Sequence, residues 1–221
     1  MIVKTYIVPP IENNDYLLID EETREAVLID CSSPLIWTKV PCSCGDAAVS
    51  TTGANREEFK NIKLKYILLT HGHFDHVGGL NFCRNEKENV PVYMHKSDLS
   101  LVSKINDYTQ MMGLPESEIP RIDNFILDGD IIKFGTYEIK VLHTPGHTQG
   151  GVSYYVDGKL FSGDTIFRES VGRCDLEGGD FDMLVNSIKT KIFTLPDETE
   201  IYPGHGKPTT VAWEKEHNFY A

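Results

Sequence analysis

The 221-residue sequence predicts a layered domain of the α/β or α+β class. Three observations lead there. Short β-branched and aromatic runs fill the first third. A nearly continuous apolar run, residues 64–69, sits in the middle. Later strand-like pieces are followed by stretches whose apolar residues recur at helical intervals.

Residues 2–8, 15–20 and 25–30 read as strands, and LLIDEETREAVLID suggests a hairpin with an acidic turn. The run LKYILL at 64–69 marks a strand covered on both faces. A helix is expected from Asp75 toward Glu88, with acidic charge favourable at its start. Residues 91–95 read as a strand, 96–104 as a helix opening around Ser97 and Asp98, and 106–123, with Gly113, Pro115 and Pro120, as a loop or lid. Four strands follow at 129–135, 137–142, 151–156 and 159–162, with Asp157-Gly158 as a hairpin turn. Residues 181–193 carry helical spacing, 199–202 form a last strand and 210–220 a terminal helix. Residues 31–56 show no period and read as an irregular segment, followed by a short helix near 55–61. With no repeat and no low-complexity tract, 1–221 is expected to be a single domain.

The formal net charge of −12 repels phosphate backbones, so a general nucleic-acid binder is not expected. No apolar run approaches the roughly 20 residues that span a bilayer, and the N-terminus lacks the pattern of a signal peptide. Cys31, Cys42, Cys44, Cys83 and Cys174 are odd in number and irregular in spacing, which suits reduced thiols in a cytoplasmic protein. Oligomeric state is not legible.

The chemistry concentrates at four stations: His71-x-His73-x-Asp75-His76, then His147, Asp164 and His205, each just after a predicted strand. Glycines beside the ligands permit the sharp turns that aim side chains at one point. Neutral imidazoles and carboxylates bind borderline divalent metals. Seven such groups exceed one tetrahedral ion and suit two ions about 3.5–4 Å apart with a shared carboxylate. Asp164 is the candidate bridge, as the only remaining acid in such a loop.

The segments THGHFDHVGG, HTPGHTQGG, SGDTIF and PGHG resemble, in order and spacing, the metallo-β-lactamase superfamily and its glyoxalase II-like branch. The resemblance runs from about Leu64 to the end and more loosely over the N-terminal strands. It implies an α+β fold, a four-layer αββα sandwich of two mixed sheets flanked by helices. It implies one ion on His71, His73 and His147, a second on Asp75, His76 and His205, and Asp164 between them. The implied cofactors are two divalent ions, zinc first, with iron or manganese as alternatives.

The implied reaction is hydrolysis of a thioester such as hydroxyacylglutathione by a metal-bridging hydroxide, with Asp75 orienting it and Asp164 holding both ions. A thiolate leaves without much protonation, thiols having a pKa near 8.5. Longer glyoxalase II proteins carry a helical C-terminal extension, whereas only residues 206–221 follow His205, so the resemblance is to the short type. The same loops occur in persulfide dioxygenases, where residues matching His71, His147 and Asp164 hold one iron.

Arg168 and Arg173 flank the loop after Asp164 and are candidates for binding the carboxylate of an anionic small-molecule substrate. The alternative for Arg173 is a loop-bracing pair with Asp175. His95, His143 and His217 lie outside the pattern and read as structural, His143 bonding within its own loop.

Overall fold

The computed structural model describes residues 1–9, 11–32, 62–86, 90–111 and 118–221. The irregular segment expected at 31–56 falls outside these residues from position 33 onward, as do the expected helix near 55–61, Cys42 and Cys44.

Two six-stranded sheets form the centre. The first runs β1 (Ile2–Val8), β2 (Asn13–Ile19), β3 (Glu25–Ile29), β4 (Lys63–Leu68), β5 (Val92–His95) and β6 (Asn124–Ile126) across the sheet. β1, β2 and β3 are antiparallel, so the acidic hairpin is present, and β3 to β6 are parallel. The second sheet has the order β14 (Thr209–Thr210), β13 (Glu200–Pro203), β10 (Lys159–Gly163), β9 (Val152–Val156), β8 (Tyr137–His143) and β7 (Ile131–Phe134). Only β10 and β13 pair in parallel there. β11 (Ile166–Phe167) and β12 (Ser170–Val171) make a small ribbon after β10.

Strand alternation sorts the side chains into three cores. Tyr16, Leu18, Val27, Ile29 and Leu68 of the first sheet meet Phe134, Ile139, Val141, Tyr154 and Phe161 of the second. On the outer face of the first sheet, Leu17, Ile19, Leu28, Ile67 and Leu69 pack under Val77, Leu80, Val102 and Ile105. On the outer face of the second, Leu142, Leu160 and Ile201 pack under Leu184, Ile188 and Val211. The result is the expected αββα layering, and β4 is covered on both faces as its continuous apolar run implied.

The helical layers are built from short pieces. The helix expected from Asp75 is divided into α1 (Phe74–Val77) and α2 (Leu80–Glu86). The break falls at Gly78-Gly79, where an added Cβ on Gly78 would lie 2.9 Å from the Phe74 carbonyl oxygen. A 3-10 turn at Lys96–Asp98 leads into α3 (Leu99–Ser103). Part of the stretch expected as a loop is helical: α4 spans Ile105–Met111, and Ile105 anchors it in the outer core. α5 (Phe181–Ser187) continues into a wider π-type turn at Ile188–Ile192, and α6 (Val211–His217) closes the chain. Asp180 and Thr210 cap the last two helices, accepting from the N–H groups of Met183 and Trp213.

The strand directions decide where the site lies. β4 is parallel to β3 and β5, while β8, β10 and β13 share a direction in the second sheet, so their exits gather at one edge of each sheet. Backbone bonds join the two edges: Val152 N–H to the Thr70 carbonyl at 2.9 Å, and Asn14 N–H to the Gly204 carbonyl at 2.7 Å.

Candidate metal centre

The four predicted stations meet at this shared edge. His71, His73 and His147 offer nitrogen atoms within 4.8 Å of one another; so do the ligand atoms of His71, His76 and Asp164, and those of Asp75, His76 and His205. Asp164 lies between the groups: its carboxylate oxygens are 3.5 Å from His76 Nε2 and 3.6 Å from both His147 Nε2 and His205 Nε2. Asp75 Oδ2 lies 3.4 Å from His205 Nε2 and 3.8 Å from His76 Nε2.

Surrounding bonds fix which nitrogen three of the imidazoles present. His76 Nδ1 donates to Asp30 Oδ2 at 2.8 Å. His147 Nδ1 donates to the Arg173 carbonyl at 2.7 Å. Thr70 Oγ1 donates to Asp30 and accepts from His71 Nδ1 at 3.1 Å. In each case Nε2 is left turned inward. The Nε2 atoms of His71 and His147 then face each other at 3.3 Å, and His73 Nδ1 is 3.0 Å from His147 Nε2. Lone pairs so opposed repel unless a cation sits among them. The spacing matches the edge of about 3.3 Å of a tetrahedron with bonds of 2.0–2.1 Å. Buried His76 Nε2 and Asp164 Oδ1 have no hydrogen-bond partner, which is costly for atoms withdrawn from water. The donor set therefore fits one or two divalent ions.

Electrostatics divides the histidines. Burial, reinforced by the neighbouring His76, His73 and His147, pushes His71 well below the usual imidazole range. Burial and then His147 and His76 push His73 down to about 3. Burial also opposes a charge on His76, but the Asp30, Asp164 and Asp75 carboxylates outweigh it and raise the ring to about 10. Burial acts to raise Asp75, yet His76 and His205 hold its carboxyl below the usual carboxylate range. A ring raised this far is expected to keep its proton at neutral pH, and a metal ion binding at His76 is expected to displace it. Metal uptake is expected to release protons, and affinity is expected to fall about tenfold per pH unit of acidification for each proton displaced. Calorimetric titration in buffers of different ionisation enthalpy measures this; heats independent of the buffer would contradict the proton count.

The loops that carry these side chains leave no room beside them. At Gly204, an added Cβ would meet Asp164 Oδ1, and His76 Cε1 at 2.9 Å. Gly146 has φ +133°, and a Cβ there would meet the Leu184 backbone. These two glycines bring the His205 and His147 loops against their neighbours.

Two carboxylates that the sequence reading did not single out as site residues support the cluster. Asp30 follows β3 and accepts from Thr70 N–H at 2.8 Å besides its bonds to the Thr70 hydroxyl and His76. Asp98 follows β5 and accepts from the loops of His71 and His147. Each is an acid at a strand exit, the same signal that marked Asp164, but neither stands beside a histidine motif.

Arg173 forms a two-pronged pair with Asp175 at 2.7 and 2.8 Å on the surface. Arg168 lies over the Trp213 ring at 5.0 Å, beside an open cavity of about 310 Å³ lined also by Tyr202 and Thr210. His143 Nε2 donates to the Gln149 carbonyl within its own loop and stacks on His95, while His217 stacks on Trp213.

The Metallo-beta-lactamase superfamily profile matches residues 9–205, nearly the whole chain. This chain belongs to the metallo-β-lactamase superfamily. It is similar to the hydroxyacylglutathione hydrolase GloC of Haemophilus influenzae, 36% identical over 201 residues and covering 86% of this chain and 91% of that protein. It is similar to the crystal structure of the BLEG-1 B3 metallo-beta-lactamase, with TM-score 0.82, 33% identity and 99% of each chain covered. It is also similar to the crystal structure of TTHA1623 in a di-iron-bound form, with TM-score 0.79, 33% identity, and 99% of this chain and 100% of that chain covered. The matches spread over more than one branch of the superfamily. Superfamily membership together with the clustered ligands makes this chain an enzyme of the metal-dependent hydrolase type. Among the described residues, no helix is long and apolar enough to cross a membrane.

Proposed function

We propose that this metallo-β-lactamase superfamily member hydrolyses anionic thioesters of the hydroxyacylglutathione kind at a dinuclear, zinc-first centre. His71, His73 and His147 would hold one ion and Asp75, His76 and His205 the other, with Asp164 placed to serve either group. The observation that carries the reading is the position of Asp164, with its oxygens 3.5–3.6 Å from ring nitrogens of both groups. The similarity to GloC supports the substrate class.

When bound, two divalent ions lower the pKa of a water from 15.7 toward about 7 and polarise a carbonyl oxygen. The chain's own groups do the rest. The bonds from Nδ1 of His71, His76 and His147 keep those rings oriented, so the site needs no rearrangement when substrate enters. Asp75, held ionised beside His76 and His205, accepts a hydrogen bond from the attacking water and aims its lone pair at the carbonyl carbon. The leaving thiolate is stable enough to depart without a general acid.

Arg168 and Arg173 are the candidates for holding a carboxylate at the far end of the substrate. Arg173→Ala is expected to raise KM for an anionic thioester more than it lowers kcat. An unchanged KM in steady-state kinetics would leave Arg173 as the brace of its own loop through Asp175.

The alternative is oxidation of a persulfide at a single iron on His71, His147 and Asp164, which leaves the complete Asp75, His76 and His205 group without a task. Metal-loaded protein is therefore assayed on S-lactoylglutathione for thiol release and on glutathione persulfide for oxygen uptake. Thiol release without oxygen uptake is the expected result; oxygen uptake alone would replace this reading by the alternative.

A further inference from the structure

Asp98 lies outside the ligand set but between two of its loops. It is fully buried at the end of the 3-10 turn after β5. Oδ2 accepts from Gly72 N–H at 3.0 Å, in the residue between His71 and His73. The same oxygen accepts from Thr148 Oγ1 at 2.7 Å, in the residue after His147. Oδ1 accepts from Gly150 N–H at 2.5 Å. All three donors thus belong to the two loops that bring His71, His73 and His147 together. The packing says the same independently of the bonds. A Cβ at Gly72 would lie 2.7 Å from the Asp98 carbonyl oxygen, and one at Gly150 would lie 2.6 Å from Oδ1. Both loops are glycine where they press on this residue. The second group is steadied elsewhere, through the bond from His76 to Asp30.

We propose that Asp98 is the positioning residue of the three-histidine group: its carboxylate clips the 71–73 loop to the 147–150 loop and so sets the separation of the three imidazoles, without contributing to the Asp75, His76 and His205 group. The inference rests on the two-ion reading of the site. The Gly72 and Gly150 N–H groups bond to different oxygens of Asp98 and can only donate, so an asparagine there would turn an N–H₂ toward one of them in either orientation. Loss of a group that orients metal-binding side chains lowers metal affinity by about 10–100-fold.

The test separates the two groups by chelator competition, a readout independent of turnover. In a His205→Ala background the three-histidine group is the one left intact, and Asp98→Asn is expected to weaken the remaining ion by about 10–100-fold. In a His147→Ala background the other group remains, and Asp98→Asn is expected to change its affinity by no more than about twofold. Equal losses in both backgrounds would mean that Asp98 supports the fold generally, and no loss in either would mean that it sets nothing; both overturn the proposal. Should Asp98→Asn fail to fold, Thr148→Val removes one of the three bonds. Thr148→Ser, which keeps the hydroxyl, is expected to restore parental affinity; two Thr148 variants that behave alike would also overturn it. A parent protein that takes up no metal would bring down the two-ion reading and this inference together. A parent that takes up two ions, with Asp98→Asn indistinguishable from it, would bring down the inference alone.

Discussion

Asp164→Ala is expected to lower kcat/KM for a thioester substrate by at least about a hundredfold, the scale on which a charge-stabilising group in a water-excluded site contributes. The variant is also expected to bind fewer ions. The reason is geometric. Among the described residues, Asp164 is the carboxylate that the structure places within 3.6 Å of ring nitrogens from both proposed ligand groups. Without it, two sets of imidazoles face each other with no anion between them, so a pair of divalent charges would repel with less to offset it. The fold should tolerate the change. Asp164 reaches partly into solvent, with 11% of its side chain exposed, and one of its buried oxygens has no hydrogen-bond partner to lose. Turnover and elemental analysis of the purified variant measure both effects. Parental kcat/KM with full metal content would remove Asp164 from the bridging position.

The second large effect is on stability. Asp30→Ala is expected to destabilise the metal-free protein by about 3–5 kcal/mol, the loss found when one member of a buried ion pair is removed. For a chain of this length that is a fall in Tm of roughly 6–20 °C. Asp30 and His76 are both buried, with His76 Nδ1 2.8 Å from the carboxylate oxygen, and burial alone would disfavour a charge on the ring. Thr70 N–H and Thr70 Oγ1 lose their acceptor in the same substitution. The effect therefore reaches His71 through Thr70 as well as His76 directly. Asp30→Asn keeps an acceptor for the Thr70 N–H and is expected to cost less. Thermal unfolding with and without metal measures the difference, and a Tm unchanged by Asp30→Ala would mean that His76 is held by other contacts.

Much of this arrangement was legible in the sequence, for physical reasons that can be named. The run 64–69 is apolar at every position but Lys65, and its Ile67 and Leu68 fill the cores on opposite faces of the sheet, so both the strand and the loop after it could be read. The seven predicted side chains, which the structure brings together, stood out by residue type: histidines beside glycine turns at successive strand exits, with acids among them. What stayed hidden depends on partners distant in sequence. β6 and β14 are three and two residues long and exist by pairing with β5 and β13. α4 begins in a stretch whose glycine and prolines lie further on, at 113, 115 and 120, and those breakers obscured it. Asp20 and Asp30 end matching segments, LLID and VLID, yet only Asp30 turns toward the histidines; Asp20 instead accepts from Thr136 N–H and caps its own hairpin through Glu22 N–H. Nothing local distinguishes the two. Asp98 is hidden in the same way, because its donors lie 26, 50 and 52 residues away along the chain.

In the proposed function, four loops gather imidazoles and acids that would hold a pair of ions required for turnover. Elemental analysis of the purified protein, carried through chelation and stepwise reloading while thioester hydrolysis is followed, tests it most directly. Two divalent ions per chain are expected at saturation, with activity lost with the metal and regained as the second equivalent is bound. A folded, metal-free preparation that hydrolyses the thioester at the full rate would contradict it.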